Sequence, residues 1–444
     1  MRNLDTHALN TQALKTQALN VASGLQLPLS VSDLAQLFGS GLSQSARLVE
    51  VETAQGSGLP DSLAVDRFYG SEGVNQLFSF EVDCLSVSTH IDLAQFIGEE
   101  ITLRVLLPDS GKRSWHGYCT QAAWLGADGG MARYRLTLQP FLAFMALRHD
   151  AFIFQGKDAL GICDELFKDY PQANVRYEVT QPLTQRAICT QYGESDLAFM
   201  TRLLFEEGLS WRFEHEQAES SGRTSNKSAS SAHNTGASSY QNSSHSKDQS
   251  THTKHCLVIF DAASSLSQWP AVSTLGAPAA IRFHRTHAAE STDTITAFTA
   301  SRQASANAVA LSSWDSTQLV APSAEASSAL KAGALPHLAV YEGAGQRRYL
   351  DAATASRIAE LRLEALELTN KTFSATSSAR HVGAGCTFSL MQHERYPESG
   401  GANQFKVLSV SHSAANNLPA QVAQLLQSVG FQAKLAYSPW RTQT

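Results

Sequence analysis

From Arg47 onward, apolar and polar residues alternate with a period of two, and this texture narrows the possible folds more than any other feature of the chain. Leu77-Phe-Ser-Phe-Glu-Val-Asp-Cys84 sets Phe78, Phe80, Val82 and Cys84 on one side and Ser79, Glu81 and Asp83 on the other. That is the pattern of a half-buried antiparallel strand. The alternation returns at 101–107 through Ile101, Leu103, Val105 and Leu107, across 115–125, and at 134–138 through Tyr134, Leu136 and Leu138. Asp128-Gly129-Gly130 marks a turn between the last two. Strands at this spacing predict a small β-barrel or sandwich over 47–150.

The next stretch, 151–216, changes to a mixed α/β texture. Asp158 is placed to cap a helix carrying Leu160, Ile162, Cys163, Leu166 and Phe167 at helical spacing, stopped by Tyr170-Pro171. A second helix is marked by Ser195 as cap, by the stripe Leu197, Phe199, Met200, Leu203 and Leu204, and by Gly208 as terminator. It leads into alternating Leu209, Trp211 and Phe213, and Glu206-Glu207 read as a solvated helix end. Asp164 and Lys168 stand as an i,i+4 pair on the first helix. Phe78, Phe80, Leu103, Leu136, Phe199, Leu203, Trp211 and Phe213 are the expected core.

Residues 217–255 are serine-rich and almost devoid of large apolar side chains. Such a segment cannot offset its ordering entropy by burial, which predicts a disordered insertion. Strand texture resumes at 257–260 and continues through 279–285, 294–300 and 307–312. A helix is expected at 354–368 with Ile358, Leu361 and Leu366 on one side, then strands at 371–377, 386–391 and 404–412. The expectation is therefore an α+β, β-rich chain with two β-barrel-like domains, 47–150 and 256–425, around a helix-containing middle region. Residues 1–46 read as a flexible extension, because the pentad-like echo of Leu4, Leu9, Leu14 and Leu19 suits neither helix nor strand. Residues 426–444 read as a tail.

A net charge of −6 and 17% charged residues, with no long Lys/Arg run, argue against nucleic acid as a partner, since phosphate neutralisation needs a clustered positive field. No apolar run reaches the length of a transmembrane helix or forms a signal-peptide core. Cys84, Cys119, Cys163, Cys189, Cys256 and Cys386 are spaced too widely for a C-x-x-C unit, and a chain of 444 residues needs no disulfide staples. They read as small apolar core residues of a reducing cytoplasm.

Catalytic signatures are missing: there is no G-x-S-x-G elbow, H-E-x-x-H, P-loop or G-x-G-x-x-G opening a helix. Gly343-Ala-Gly345 and Gly383-Ala-Gly385 read as turns. His252-x-x-His255-Cys256, with His245 upstream, offers metal-ligating residue types but lies at the end of the serine-rich stretch with no rigid frame, and reads as solvated loop histidines. His116 in Trp115-His116-Gly117 reads as a surface or core-edge histidine. Arg347-Arg348 before the predicted helix suit carboxylate or partner contacts. The N-x-S/T triplets starting at Asn226, Asn242 and Asn370 carry no weight. No catalytic, cofactor-binding or metal-binding residue is assigned, no cofactor is expected, and the chain is not expected to be an enzyme.

Three ordered blocks nevertheless carry a resemblance. The first is Leu77-Phe-Ser-Phe-Glu-Val82 with Phe96-Ile-Gly-Glu-Glu-Ile-Thr-Leu103, Trp115-His-Gly-Tyr118 and Tyr134-Arg-Leu-Thr-Leu-Gln-Pro140. The second joins Phe152-Ile-Phe-Gln-Gly-Lys-Asp158 to the run from Cys189-Thr-Gln-Tyr-Gly-Glu-Ser-Asp to Trp211-Arg-Phe-Glu-His215. The third links Ala355-Ser-Arg357, Cys386-Thr-Phe-Ser-Leu390 and Phe405-Lys-Val-Leu-Ser-Val-Ser-His-Ser-Ala-Ala-Asn-Asn417. Together they resemble the amino-terminal body of the VgrG spike proteins of bacterial type VI secretion, which is similar to the tail hub of contractile-tail phages.

The resemblance implies a homotrimeric structural hub that caps the hexameric tube protein Hcp and carries a needle tipped by a PAAR-repeat protein, with effectors or a needle-bearing chain as further partners. It implies assembly in the bacterial cytoplasm and export through the type VI apparatus, with membrane contact only as a puncturing device. A three-fold object matches a six-fold ring when each chain presents two similar patches. Two departures stand out: the serine-rich stretch reads as an external insertion, and the sequence given stops where the family continues into an OB-like domain and a needle. A phage or prophage tail hub is the alternative within the class. A secreted hydrolase effector and a carbohydrate-binding β-module are alternatives outside it, disfavoured by the missing nucleophile signature and by aromatic residues that alternate as core positions.

Overall fold

The computed structural model describes residues 47–53, 63–128, 131–217, 253–261, 279–284, 293–346, 348–349 and 351–417. The expected 1–46 extension, the 426–444 tail and positions 218–252 of the insertion, including His245 and His252, lie outside the described residues.

Six of the first strands and the last one form a single curled antiparallel sheet. They are β1 (Val49–Thr53), β2 (Ala64–Gly73), β3 (Gln76–Ser86), β4 (Glu100–Leu106), β5 (Lys112–Asp128), β6 (Met131–Gln139) and β20 (Ser409–Ala415), in the order β1-β4-β5-β6-β3-β2-β20. The alternating residues of the sequence line its inside: Phe78, Phe80, Val82, Cys84, Leu103, Trp115 and Leu136 share one core. Gly70 is obligatory here, because a Cβ on it would sit 1.9 Å from the Phe80 ring. Asp128 pairs with Met131 across Gly129-Gly130 of the expected turn, which lie outside the described residues.

The curl is fastened at its seam by one side chain. Asn416 Nδ2 donates to the carbonyls of Val49 and Val65, both at 2.8 Å, while its Oδ1 accepts from the Leu48 and Val49 amides at 3.1 and 3.2 Å. These are the backbone groups that an open sheet edge would leave without partners.

The middle region packs α1 (Leu142–Met145), α2 (Ala159–Phe167) and α3 (Asp196–Glu207) against two sheets. One is the ribbon of β7 (His149–Lys157) and β9 (Arg186–Ser195); the other has the order β10-β11-β8, from β8 (Val175–Glu178), β10 (Ser210–His215) and β11 (His255–Phe260). The helix punctuation is as the sequence predicts. Asp158 accepts from the Gly161 amide at 2.8 Å, Ser195 accepts from the Ala198 amide at 3.2 Å, and Gly208 ends α3 in the left-handed conformation at φ +71°. Phe199, Met200, Leu203 and Leu204 are fully buried.

The remaining strands fall into three small sheets: β12 (Ala280–Arg282), β18 (Thr387–Met391) and β19 (Gln404–Lys406); β13 (Ile295–Arg302) with β17 (Lys371–Ser377); and β14 (Ala308–Trp314) between β15 (Ser323–Ser327) and β16 (Ala339–Gln346). The last of these packs Val309 and Leu311 on Ala355, Ile358, Ala359 and Leu363 of α4 (Ala352–Leu368), a helix capped by Asp351.

Several expectations need correction. The 404–412 run is two strands in different sheets, because Val407-Leu408 cross from the β18 partner to the β2 partner. The strand at 257–260 pairs with β10 and β8 and belongs to the middle core. Gln217 and Thr253–His255, which fall in the stretch expected to be disordered, are among the described residues, and Thr253 and His255 are buried. Gly343-Ala-Gly345 lie inside β16 and not in a turn, with Gly345 at φ +69° beside a register shift between β14 and β16.

Candidate functional site: a polar clamp joining the β regions

The tip of the β2–β3 hairpin holds three parts of the chain together. Its two-residue connection, Val74-Asn75, puts Asn75 at φ +59°, a conformation asparagine tolerates. The Val74 amide donates to the Leu408 carbonyl at 2.8 Å, just before β20. The Asn75 amide donates to the Trp211 carbonyl at 2.9 Å, and the Asn75 side chain accepts from the Trp211 amide at 2.8 Å. The tip therefore docks simultaneously on β10 and on the chain entering β20.

Just behind the tip lies a buried charged group. Glu72, 7% exposed, accepts from Arg113 Nη2 at 2.7 Å and from His412 Nε2 at 2.8 Å. Burial opposes its charge, but Arg113 and the His412 hydrogen bond prevail and hold the carboxyl down at about 2. Burial, helped by Arg113, outweighs the pull of Glu72 on His412 and lowers its pKa, so His412 is a neutral imidazole donating through Nε2. Arg113 also donates through Nη1 to the Arg380 and Val382 carbonyls at 2.7 and 2.6 Å, and its guanidinium lies 4.2 Å over the Trp115 ring. Arg380 reciprocates, donating to the Leu106 carbonyl at the end of β4 at 2.7 Å. A buried pair with its remaining donors satisfied is the condition under which such a pair is tolerated, and it fixes geometry more than it adds stability.

A histidine cluster continues the polar path inward. His116 donates through Nε2 to the Glu216 carbonyl at 2.7 Å, so neutral Nδ1 accepts from Thr102 Oγ1 at 2.8 Å. The His116 amide donates to His215 Nδ1 at 3.1 Å, and the Phe141 amide donates to His255 Nε2 at 3.2 Å. Burial lowers the pKa of all three, that of His255 to about 3. His215 Nε2 and His255 Nδ1 are buried with no hydrogen-bond partner. His255, read as a solvated loop histidine, is thus a core residue stacked on Phe141, and no neighbouring Cys joins it as a ligand. Among the described residues no group of three or more His, Cys, Asp or Glu is placed to hold a metal ion.

A second ionic cluster ties α3 to the following β region. Arg186 reaches Glu206 and Glu207 at 2.6 and 2.7 Å, Arg348 reaches Glu206 at 2.9 Å, and Arg357 approaches Glu207 at 3.6 Å. The solvated end expected for Glu206-Glu207 is therefore a buried anchor. Arg348 makes the carboxylate contact the sequence suggests, while Arg347 lies outside the described residues. The expected Asp164–Lys168 pair does not form: Asp164 accepts from the Tyr177 hydroxyl at 2.6 Å and Lys168 pairs with Glu165 at 2.8 Å. The Gly383–Gly385 segment is a turn, with Gly385 at φ +78° against Arg212.

Beside the Glu72 clamp a cleft of about 410 Å³ opens, lined by residues of β1 and β20. Phe68, Val105 and Trp115 form its floor, and Thr296 and Thr376–Ser378 its far wall. Of its polar groups, Arg380 bonds the Leu106 carbonyl, His412 bonds Glu72, and the hydroxyls of Thr296 and Ser377 donate to the carbonyls of Thr376 and Thr294. The six cysteines are free thiols, five buried and Cys256 half-buried, and burial raises the pKa of Cys84, Cys119, Cys163, Cys256 and Cys386. Thiolate chemistry is suppressed at these sites.

The clamp residues span a matched family region. The profile of the phage tail baseplate hub (GPD) family covers residues 71–418, which is more than half of the chain and runs from within β2 to just past β20. The chain belongs to the phage tail baseplate hub family. Two curated relatives from Pseudomonas aeruginosa are the type VI secretion system spike proteins VgrG1a, 30% identical over 39% of this chain and 27% of the relative, and VgrG4b, 32% identical over 36% and 19%. The actin cross-linking toxin VgrG1 of Vibrio cholerae is 29% identical over 38% of this chain and 16% of its own length. The chain thus spans about a quarter or less of these relatives. Among solved structures, a type VI secretion component of E. coli matches with a TM-score of 0.52 at 16% identity, over 82% of this chain and 73% of that one. A tail protein of Neisseria meningitidis matches at 0.53 and 12% identity, over 83% and 92%. These two show the fold: a β-rich tail hub, as the resemblance implies.

Sequence reasoning missed Glu72, Arg113, His412, Asn75 and Asn416. One signal was present: His412 falls in the same phase as Val410, where alternation calls for an apolar residue. The same holds for His255 ahead of Leu257.

Proposed function

We propose that the chain is a structural hub of a contractile injection apparatus, assembling as a homotrimer that caps a hexameric tube and passes load to a puncturing tip, without chemistry of its own. The observation that carries this reading is the family match over 71–418, the same span that the hairpin clamp and the β2–β20 pairing bind into one body. The type VI relatives favour Hcp as the tube and a PAAR-repeat protein, a needle-bearing chain or an effector as distal partners, with export through the type VI apparatus after assembly in the bacterial cytoplasm. A hub transmits force, and buried ion pairs that fix orientation suit that task.

The test is a mass measurement in solution together with binding to purified tube rings. The expected result is a particle of three chains that binds hexameric Hcp rings; a stable monomer blind to the rings would sink the reading. A second reading, a prophage tail hub, is supported by the fold match to a prophage tail protein from Shewanella oneidensis, TM-score 0.50 over 94% of that chain. Binding to a phage tube protein in preference to Hcp would select it.

A further inference from the structure

We propose that the β7–β9 ribbon is an inter-subunit surface that docks against the β16 edge of a second copy of this chain. The proposal rests on the trimeric hub reading and names the contact that would build it.

The ribbon is unusual in what it leaves uncovered. Register pairs Ala151 with Tyr192, Ile153 with Thr190 and Gln155 with Ile188, so these six side chains share the outer face, while Phe154 and Cys189 point into the core. Tyr192 is 85% exposed, Ile188 65% and Ile153 56%. At roughly 200 Å² for a large side chain these exposures amount to about 400 Å² on the outer face. A monomer rarely shows a larger patch without a binding role, and a standard interface takes roughly 800 Å² from each partner. The area is right for the centre of a protein contact.

The backbone is equally open. Among the described residues β7 pairs only with β9 and β9 only with β7, so each strand has an edge that no strand covers, with Arg202 donating to the Thr190 carbonyl of β9 at 3.2 Å. Natural edges are blunted by charge or proline, yet 151–156 and 188–193 contain neither. The helices of the middle region cover the ribbon's inner face, while among the described residues no strand pairs with either outer edge; a partner there would supply backbone bonds and apolar contact together.

A second such surface exists on the same chain. β16 pairs only with β14 among the described residues, leaving its other edge free. Ala339, Val340 and Tyr341 on it are exposed, Tyr341 at 70%, and Glu342 is the only charge between Ala339 and Gln346. A ring of identical chains needs two different surfaces per chain, one offered and one receiving. The ribbon and the β16 edge are such a pair, and that is why the occupant is a second copy and not an unrelated protein.

The experiment follows from that asymmetry. Ribbon variants Ile153→Glu and Tyr192→Lys and edge variants Ala339→Glu and Tyr341→Lys, each with unchanged circular dichroism, are sized in solution alone and mixed. Each variant alone is expected to run as a single chain, and a ribbon variant mixed with an edge variant is expected to form a two-chain particle through the one intact contact. Folded variants that still form three-chain particles overturn the proposal and leave the trimer reading standing. A wild-type chain that is itself monomeric removes the trimer reading first.

Discussion

Glu72 is one carboxylate with two partners from β5 and β20, and its removal should be felt out of proportion to its size. Glu72→Gln keeps the volume but leaves the Arg113 charge buried without its counter-ion, for which about 3–5 kcal/mol of destabilisation is expected in denaturant titration. The pH dependence follows from the same neighbourhood. His116, His215, His255 and His412 all have depressed pKa values in the folded chain, so the unfolded chain binds their protons more readily. Their stabilising contribution is present above about pH 6.5 and is lost as pH falls, by up to about 1.4 kcal/mol per pH unit for each. Glu72, at about 2 when folded against 4.5, adds a further loss below pH 4.5. Thermal melts from pH 7 to pH 4 should show a steep fall, and His255→Gln, which keeps an acceptor for the Phe141 amide, should reduce the slope by one proton. An unchanged slope would show that His255 does not titrate on unfolding. The sequence marks His412 and His255 as inward-facing by alternation but not what they meet, because the partners of Glu72 are 41 and 340 positions away.

At the scale of elements the sequence was a far better guide, for a physical reason: caps, stripes and left-handed terminators act over a few residues. Ser195, the Leu197–Leu204 stripe and Gly208 define α3 without reference to anything distant. Phe199→Ala should cost about 3–5 kcal/mol, since the ring is fully buried and stacks on Phe154. Gly208→Ala should also destabilise, by at least about 1 kcal/mol from the left-handed backbone, and further because its Cβ would approach Leu361 to 2.4 Å. A melt unchanged at either position would refute the α3 packing. What local signals could not assign is which sheet a strand joins. β11 looked like the start of the second β region and instead pairs with β8 and β10, and the 404–412 run looked continuous although Phe405 and Val410 serve different sheets. Glu206-Glu207 failed in the same way: a helix end looks solvated until Arg186, Arg348 and Arg357 arrive from elsewhere.

For the whole molecule these exchanges matter more than any one contact. The first sheet takes its last strand from the far end of the second β region, the middle core takes β11 from beyond the serine-rich stretch, and the β2–β3 hairpin tip bonds to β10 and to the chain entering β20. Regions that share strands in this way cannot unfold independently. Calorimetry of the dissociated chain should therefore show one transition, with calorimetric and van't Hoff enthalpies in agreement; two resolved peaks would mean the clamps are weaker than their geometry implies. The pairing of β2 with β20 also sets an order of events during synthesis. When the ribosome has made β1 to β6, the β2 edge that will receive Ser409–Ala415 is still bare, and it stays bare over the whole stretch from Gln139 to Ser409. Asn416, which fastens the seam, arrives last of all. A nascent chain of this kind carries an unpaired sheet edge for most of its translation, and a chain cut between β6 and β20 would keep that edge open for pairing with other chains.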